Sequence, residues 1–188
     1  VEASRALAKA TPSARDVGLI ASTPFLMQAT AGLDGFLMHQ LRADLKARIG
    51  KAGVVIDGLR GFTKYRFEPF DVEVDGEAHC VTGAAFVNMT EYAGAFRYVP
   101  GARWDDGVAH VVLFKGRSHI QALMFAIGIA LGRHHLRRDV LIKEARRMTI
   151  RAQEGLHLQT DGDPWKGPLP AVCELSSQRI QVLIPSGK

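Results

Sequence analysis

The chain has 188 residues, of which 47% are hydrophobic and 23% charged, and its mean hydropathy is +0.01. This length suits one domain, and no apolar run reaches the roughly 18 residues of a membrane-spanning helix. Cys80 and Cys173 lie far apart and form no CxxC pair, which argues against a zinc site and favours reduced thiols. The net charge of +5 allows an anionic partner: a membrane surface, a nucleotide or a nucleic acid.

Hydrophobic periodicity predicts short elements of both kinds in the first third of the chain. Helices are expected over residues 1–10, 36–49 and 54–62, and strands over residues 16–20 and 23–27. Between them, the sequence ATAGLDG at 29–35 consists mostly of small residues. We expect a flexible segment there, in which Gly32 and Gly35 let the backbone come close to another group, because glycine is conformationally permissive.

From Tyr65 onward, apolar and polar residues alternate as in half-buried strands. Strands are expected over residues 67–74, 78–81, 83–88, 108–114, 140–145, 147–152, 156–160, 171–175 and 179–184, with an irregular segment over 90–99. Several of them are separated by Asp-Gly pairs, which favour tight hairpin turns. Many short strands with such turns predict a mainly β protein: a two-layer antiparallel β-sandwich with a few flanking helices.

One helix is predicted inside this β-rich part. Ser118 can cap a helix over residues 119–131, whose sequence is apolar nearly all round. About 13 residues cannot span a bilayer, so we favour a helix buried in the protein over one in contact with a membrane. Arg133, Arg137 and Arg138 follow its end, where positive charge interacts favourably with the helix dipole.

The segment LHLQTDGDPW at 156–165 carries the candidate catalytic residues. Asp161 and Asp163 are two positions apart in an extended segment, so their side chains point to the same side. Such a pair suits a general base with a helper, or two oxygen ligands for a hard cation. The alternative is that Asp161-Gly162 is an ordinary hairpin turn, and the residues alone favour that alternative.

A second acidic turn, Asp105-Asp106-Gly107, follows Pro100-Gly101. A loop of this kind can hold an oxygen-liganded cation with one carboxylate and nearby carbonyls, or it can be only a turn. The sequence has no HExxH, GxSxG, GxGxxG or Walker A motif and no basic-aromatic interleaving. It therefore offers no recognisable zinc site, serine nucleophile, phosphate loop or RNA-binding surface.

Several short segments occur in an informative order. They are Asp16-Val17-Gly18, Phe25, AGLDG at 31–35, residues 50–53, residues 70–76, AFVNMTEYAGAFRYVP at 85–100, Asp105-Asp106-Gly107, residues 158–163 and residues 182–185. In this order they resemble the C-terminal domain of the bacterial diacylglycerol kinase-like lipid kinases, over nearly the whole chain. Two departures from the family's pattern are Asp163 in place of a glutamate and Ala93-Gly94-Ala95 in place of three glycines.

The resemblance implies roles for particular residues. Asp161 falls on the family's catalytic base, and Asp163 stands beside it. A structural Mg²⁺ is implied at Asp106, with the backbone carbonyls of Arg103 and Val108 as further ligands. ATP is implied as the phosphoryl donor, bound mainly by an N-terminal nucleotide-binding domain that these residues do not include. We therefore expect the chain to be a piece of a longer protein and to be inactive alone.

On this basis we expect residues 1–15 to end the connection from that domain and residues 16–188 to form the lipid-kinase C-terminal domain. The predicted function is the lipid-binding, base-bearing half of an ATP-dependent lipid kinase acting on a diacylglycerol-like hydroxyl. The alternative is a non-catalytic lipid-binding module of the same family. Only the net positive charge supports a third alternative, a nucleic-acid-binding protein, and we expect no nucleic-acid partner.

The same resemblance implies a location and partners. We expect a cytoplasmic protein attached peripherally to a membrane, with Arg133 to Arg138 on the anionic surface. The lipid is expected in an apolar cavity between the two sheets. The sequence also allows a homodimer.

Overall fold

The computed structural model describes residues 10–40, 58–92, 96–151 and 153–184. Nearly all of the predicted helix over 1–10, residues 41–49 of the helix over 36–49 and residues 54–57 of the helix over 54–62 lie outside the described residues, as does Ala93-Gly94-Ala95. The parts that are described, 36–40 and 58–62, are helical as predicted.

The described ranges form short strands throughout, with helices in three places. The strands are β1 (Thr11–Arg15), β2 (Gly18–Ile20), β3 (Thr23–Phe25), β4 (Gln28–Gly32), β5 (Phe70–Val74), β6 (Glu77–Val81), β7 (Gly83–Val87), β8 (Glu91–Tyr92), β9 (Phe96–Arg97), β10 (Ala109–Phe114), β11 (Val140–Ala145), β12 (Arg147–Ile150), β13 (Leu158–Thr160), β14 (Asp163–Trp165), β15 (Ala171–Leu175) and β16 (Ile180–Ile184). The helices are α1 (Leu33–Gln40), α2 (residues 58–64) and α3 (His119–Ala130), with a 3₁₀ turn over His134–Leu136.

Two six-stranded sheets form the sandwich. Sheet I has the order β11-β10-β7-β4-β13-β14, and sheet II has the order β3-β2-β15-β12-β5-β6. All their strand pairs are antiparallel. The predicted mainly β sandwich with flanking helices is therefore confirmed.

The core lies between the two sheets. Its largest fully buried side chains come from both sheets, and they include Phe70, Phe86, Ile20, Leu113, Met148 and Ile150. Burying each side chain of this size stabilises the folded state by about 1.5–3 kcal/mol relative to leaving it exposed to water. The rings of Phe25 in sheet II and Phe86 in sheet I meet edge to face across the interface, with centroids 6.3 Å apart.

Sheet I is covered on both faces, which explains why β10 is apolar without alternation. Val111 and Leu113 point into the core between the sheets, whereas Val112 belongs to a second cluster with Ile129 of α3. The ring of Phe114 stacks on Phe125 of α3, with centroids 4.8 Å apart. The helices thus pack on the outer face of sheet I.

The prediction of a flexible segment over 29–35 was wrong. Residues 28–32 form β4, which is buried throughout and lies between β7 and β13 near the centre of sheet I. Small residues occur here because neighbouring backbone comes very close. A Cβ on Gly32 would press against the carbonyl oxygen of Thr82, and one on Gly35 against the carbonyl of His157. The close approach of backbone predicted at Gly32 and Gly35 is therefore confirmed.

The N-terminal strand was also missed. Residues 11–15 form β1, which pairs with β16 so that Ser13 lies opposite Val182. The strand predicted over 16–20 begins only at Gly18. β1 ties residues 11–15 to the end of the chain, whereas the division between a connection and a domain at residue 16 stays a prediction.

Helix α3 has the predicted position and N-cap. Its first residue is His119, and the Ser118 hydroxyl accepts a hydrogen bond from the backbone N–H of Gln121 at 3.3 Å. The prediction that this helix is buried was wrong, because much of its apolar surface is exposed. No helix in the described ranges is long and apolar enough to cross a membrane.

The close contact between α1 and β13 gives a first prediction. Replacing Gly35→Ala should lower the free energy of unfolding by about 1–3 kcal/mol, because the added methyl meets backbone atoms that cannot turn aside. Urea denaturation measures the change.

The matched control is Gly58→Ala on α2, where an added Cβ meets nothing within 4 Å. This variant should be more stable than the parent by about 0.4–1 kcal/mol, since alanine reduces the entropy of the unfolded chain. Equal effects of the two substitutions would contradict the close contact at Gly35.

Candidate functional site

A cavity of about 520 Å³ lies on the outer face of sheet I, under α1, α2 and α3. Such volumes are typical of sites for small organic ligands. The expectation placed an apolar cavity between the two sheets, but this apolar cavity lies on the outer face of sheet I, while the main core packs between the sheets. The cavity is instead enclosed by the sheet on one side and by helices on the other.

The cavity forms where small residues of the sheet face small residues of a helix. Its floor includes Gly83 and Ala84 of β7, and its helical wall includes Ala122 and Ala126 of α3. Larger apolar side chains close the sides: Leu33, Leu37, Leu59, Phe62, Phe96, Val112, Phe114, Leu123, Phe125 and Ile129. The result is an apolar chamber that suits hydrocarbon.

A carboxylate marks the polar part of this chamber. Asp34 lines the cavity together with Thr30, and the Thr30 hydroxyl donates to Asp34 Oδ2 at 2.9 Å. Tyr98 also lines it. Burial, with a smaller contribution from the Asp34 carboxylate, raises the pKa of Tyr98 well above its ordinary value, so this phenol stays protonated.

The side chain of Gln159 connects the cavity to the Asp161-Gly162 turn. Gln159 is buried, and its Nε2 donates to Thr30 Oγ1 at 2.8 Å and to Asp34 Oδ2 at 2.8 Å. Its Oε1 accepts from the backbone N–H of Gly162 at 2.7 Å. One buried amide therefore fixes both the cavity carboxylate and the turn.

Asp161 occupies a tight turn between β13 and β14. Asp161 and Gly162 have φ values of +50° and +92°, so both lie in the left-handed region that two-residue hairpin turns require. The Asp161 carboxylate accepts three backbone N–H bonds: from Leu26 at 2.7 Å, from Met27 at 2.8 Å and from Gln28 at 3.0 Å. The hairpin interpretation is confirmed, and the carboxylate is also held in a fixed place.

Asp75 repeats this arrangement in sheet II. It has φ +50° in the turn between β5 and β6, and its carboxylate accepts from the backbone N–H groups of Arg146 and Arg147 at 2.9–3.1 Å. Binding backbone N–H groups is therefore not by itself a sign of catalysis. What sets Asp161 apart is its link through Gln159 to the cavity.

The other predicted catalytic residue, Asp163, lies at the start of β14 and is exposed. It pairs with Thr160 across the hairpin. The structure thus brings Asp161 and Asp163 into one turn at the edge of sheet I.

The acidic turn at 105–107 is braced mainly by ion pairs. Asp105 binds Arg15 at 2.9 Å and Arg103 at 3.0 Å. The hydrogen bond from Arg103 holds the pKa of Asp105 below its usual range. Asp16, which is buried, accepts from the backbone N–H of Gly107 at 2.7 Å.

Asp106, the predicted magnesium ligand, lies exposed in this turn. Its Oδ1 accepts from the backbone N–H of Val108 at 3.0 Å. Within the described ranges, no three His, Cys, Asp or Glu side chains form a group that could hold a metal. The implied donor set has one carboxylate and the two carbonyls of Arg103 and Val108. Such a set fits Mg²⁺, which keeps several waters and prefers oxygen.

Sequence reasoning missed Asp34, Thr30 and Gln159 as site residues. From the sequence, Asp34 was named only within the AGLDG segment at 31–35, and the structure places it in the first turn of α1. The available signal was a polar residue, Gln159, in a strand that is otherwise buried, but its partners are more than 120 residues away.

Several known proteins are similar to the chain. The family model described as the YegS C-terminal NAD kinase beta sandwich-like domain matches residues 28–184. A diacylglycerol kinase of Bacillus subtilis (strain 168) is 22% identical over 175 residues, which cover 92% of this chain and 57% of that protein. A probable lipid kinase YegS-like of Pseudomonas aeruginosa (strain UCBPP-PA14) is 27% identical over 195 residues, which cover 100% of this chain and 62% of that protein.

Among solved structures, a putative diacylglycerol kinase from Bacillus anthracis str. Sterne has a TM-score of 0.69 at 20% identity. The alignment covers 93% of this chain and 57% of that one. The likeness shows a shared fold. This chain spans 57–62% of the length of these relatives.

The Gln159 network gives a second prediction. Replacing Gln159→Leu removes the acceptor of the Gly162 N–H and two bonds at the cavity, so the free energy of unfolding should fall by about 1–3 kcal/mol. Thermal and urea denaturation measure the loss. Gln181→Leu, on the exposed surface of β16, is the control and should change stability by no more than about 0.5 kcal/mol. If Gln159→Leu were as stable as this control, the hydrogen bonds of Gln159 would contribute nothing to the free energy of unfolding.

Proposed function

Since the chain belongs to the family of YegS C-terminal NAD kinase beta sandwich-like domains, we propose that it is the lipid-binding, base-bearing half of an ATP-dependent lipid kinase. One observation carries the proposal. An apolar cavity of about 520 Å³ contains a carboxylate, Asp34, that a buried amide joins to the turn bearing Asp161.

The cavity supports a lipid substrate. The walls of the cavity are almost entirely aliphatic or aromatic. Each methylene group of a ligand that is buried there makes the binding free energy more favourable by about 0.8 kcal/mol. Asp34 and Thr30 offer hydrogen bonds to a polar headgroup at one place in the chamber. A diacylglycerol-like molecule, with hydrocarbon chains and one hydroxyl, matches this division.

Asp161 is the proposed general base. In the transfer, the lipid oxygen forms a bond to the γ-phosphorus of ATP, the bond from that phosphorus to ADP breaks, and the hydroxyl proton passes to the Asp161 carboxylate. Three backbone N–H bonds fix this carboxylate. A carboxylate has about four lone-pair positions, so one remains for the substrate hydroxyl.

The remaining parts of the reaction come from elsewhere in the full-length protein. We propose that an N-terminal domain binds ATP, whose Mg²⁺ neutralises the phosphate charge. Asp163, in the same turn, helps to position that metal or raises the proton affinity of Asp161 by repulsion. The protein acts in the cytoplasm, at the surface of a membrane.

The third prediction concerns Asp161→Asn in the full-length protein. The amide keeps an oxygen for the backbone N–H groups but does not accept a proton, so kcat should fall about 100-fold or more. A lipid phosphorylation assay measures kcat, and the melting temperature reports folding.

Asp75→Asn is the matched control, because Asp75 has the same φ and the same kind of backbone bonds in sheet II. Both variants should lose similar stability, whereas only Asp161→Asn should lose activity. If the two variants retain the same activity, Asp161 only holds the turn.

The fourth prediction concerns the proposed structural Mg²⁺ at Asp106. In the parent protein, millimolar Mg²⁺ should raise the melting temperature above its value in EDTA, because an ion that binds the folded state stabilises it. In Asp106→Asn, the amide oxygen still accepts from Val108 N–H, so the melting temperature in EDTA should equal that of the parent. Because the carboxylate charge is lost, Mg²⁺ should no longer raise the melting temperature. A Mg²⁺ effect that survives this substitution would place the ion elsewhere.

A non-catalytic lipid-binding module is the second candidate. The hydrogen bonds of Asp75 support this alternative. They show that a carboxylate in such a turn can bind backbone N–H groups for structural reasons alone, as Asp161 does. This module would bind lipid in the same cavity and would show no difference in phosphorylation between the two asparagine variants.

A further inference from the structure

Helix α3 exposes a continuous apolar stripe. Ile120 is 73% exposed, Leu123 49%, Met124 42%, Ile127 42% and Leu131 66%. These positions recur every three or four residues, so they lie along one side of the helix. Soluble proteins rarely expose a contiguous apolar surface of this kind unless it meets a partner.

Positive charge flanks this stripe at both ends. From residue 115 to residue 138 the sequence has no Asp or Glu. Lys115 and Arg117 are exposed before the helix, and Arg133 and Arg138 are exposed after it. An apolar centre between basic ends matches a bilayer with anionic headgroups, where hydrocarbon lies beside negative charge.

The opposite side of the same helix forms the wall of the cavity. Ala122, Phe125 and Ile129 line the chamber, and Leu123 both lines it and reaches solvent. Leu59 of α2 does the same and is 62% exposed. Leu59 and Leu123 therefore lie where the cavity opens, next to the exposed stripe.

We propose that this face of α3, with Lys115, Arg117, Arg133 and Arg138, docks on the anionic leaflet of a membrane. The helix has 12 residues and is about 18 Å long, too short for a hydrocarbon core of about 30 Å, so it lies in the plane of the interface. Lipid then enters between Leu59 and Leu123 without crossing water. This inference rests on the proposed lipid function and identifies the surface that delivers the substrate.

Charge also decides between a membrane and a second copy of the chain. Two copies meeting through α3 would bring their basic ends close together, and like charges repel. An anionic leaflet neutralises the same cations, each of which contributes about fivefold to binding near such a surface.

The test measures binding of the full-length protein to sedimented vesicles, without ATP. Vesicles of phosphatidylcholine are compared with vesicles that also contain phosphatidylglycerol. The double variant Ile120→Gln/Ile127→Gln changes the stripe but no residue of the cavity, and Lys115→Gln/Arg133→Gln changes only charge. The controls are Leu183→Gln and Arg146→Gln, which are exposed elsewhere.

The parent protein should bind the anionic vesicles, and each double variant should bind them about tenfold or more weakly. Both controls should bind like the parent. Unchanged binding by both double variants would overturn the inference, and so would binding that ignores phosphatidylglycerol. A parent dimer that the stripe variant converts to a monomer would overturn it as well.

Phosphorylation assays separate this inference from the proposed function. On a dispersed short-chain diacylglycerol the stripe variant should keep parental kcat, and on vesicle-embedded lipid it should lose activity about tenfold or more. Loss on both substrates would overturn the membrane role. Asp161→Asn, by contrast, should lose activity on both substrates and bind vesicles normally.

Discussion

Two of the places where the chain crosses from one sheet to the other are each clamped by a carboxylate. Asp161 binds the backbone at 26–28, where the chain passes from β3 in sheet II to β4 in sheet I. Asp75 binds the backbone at Arg146 and Arg147, where it passes from β11 in sheet I to β12 in sheet II. Hydrogen bonds from backbone N–H to a carboxylate are strong ones, so each hairpin fixes one crossing. These clamps fix two of the crossings that join the sheets, and the core packed between the sheets holds them together.

This arrangement is compatible with both the observed turn-holding role of Asp161 and its proposed role as general base. A side chain held by three N–H groups has little freedom, and a rigid carboxylate at the edge of a sheet is well placed to meet a substrate. Asp75 makes the same kind of backbone hydrogen bonds but has no link to the cavity, so these bonds by themselves are structural. The proposed catalytic role is specific to Asp161, because Gln159 joins its turn to Asp34 in the cavity.

The outer face of sheet I forms one side of the cavity. The inner face is filled by the core, whereas the outer face presents Gly83 to a helical wall that includes Ala122 and Ala126 of α3. Small residues on both sides leave a chamber that larger side chains close. Helix α3 consequently has two apolar faces with different neighbours: one turned to the cavity and one turned outward.

Much of the fold could be predicted from the sequence, because the signals are local. Alternation predicted the β5–β6 hairpin and β15, Asp-Gly pairs predicted the turns at Asp75 and Asp161, and Ser118 predicted the start of α3. The ordered segments also predicted the family that the comparisons confirm. None of these inferences needs to know which residues meet across the structure.

The sequence by itself determined the two-layer β class, the hairpins, the capped helix and the family, since each depends on neighbours along the chain. Only the tertiary structure decided that the small residues of β4 form a central strand, and that β1 pairs with the last strand, β16. It alone placed the cavity outside the sandwich and joined Gln159 to Asp34, 125 positions apart. It also left one side of α3 uncovered. The physical reason is that periodicity reports which residues share a face, whereas long-range pairing decides what covers that face.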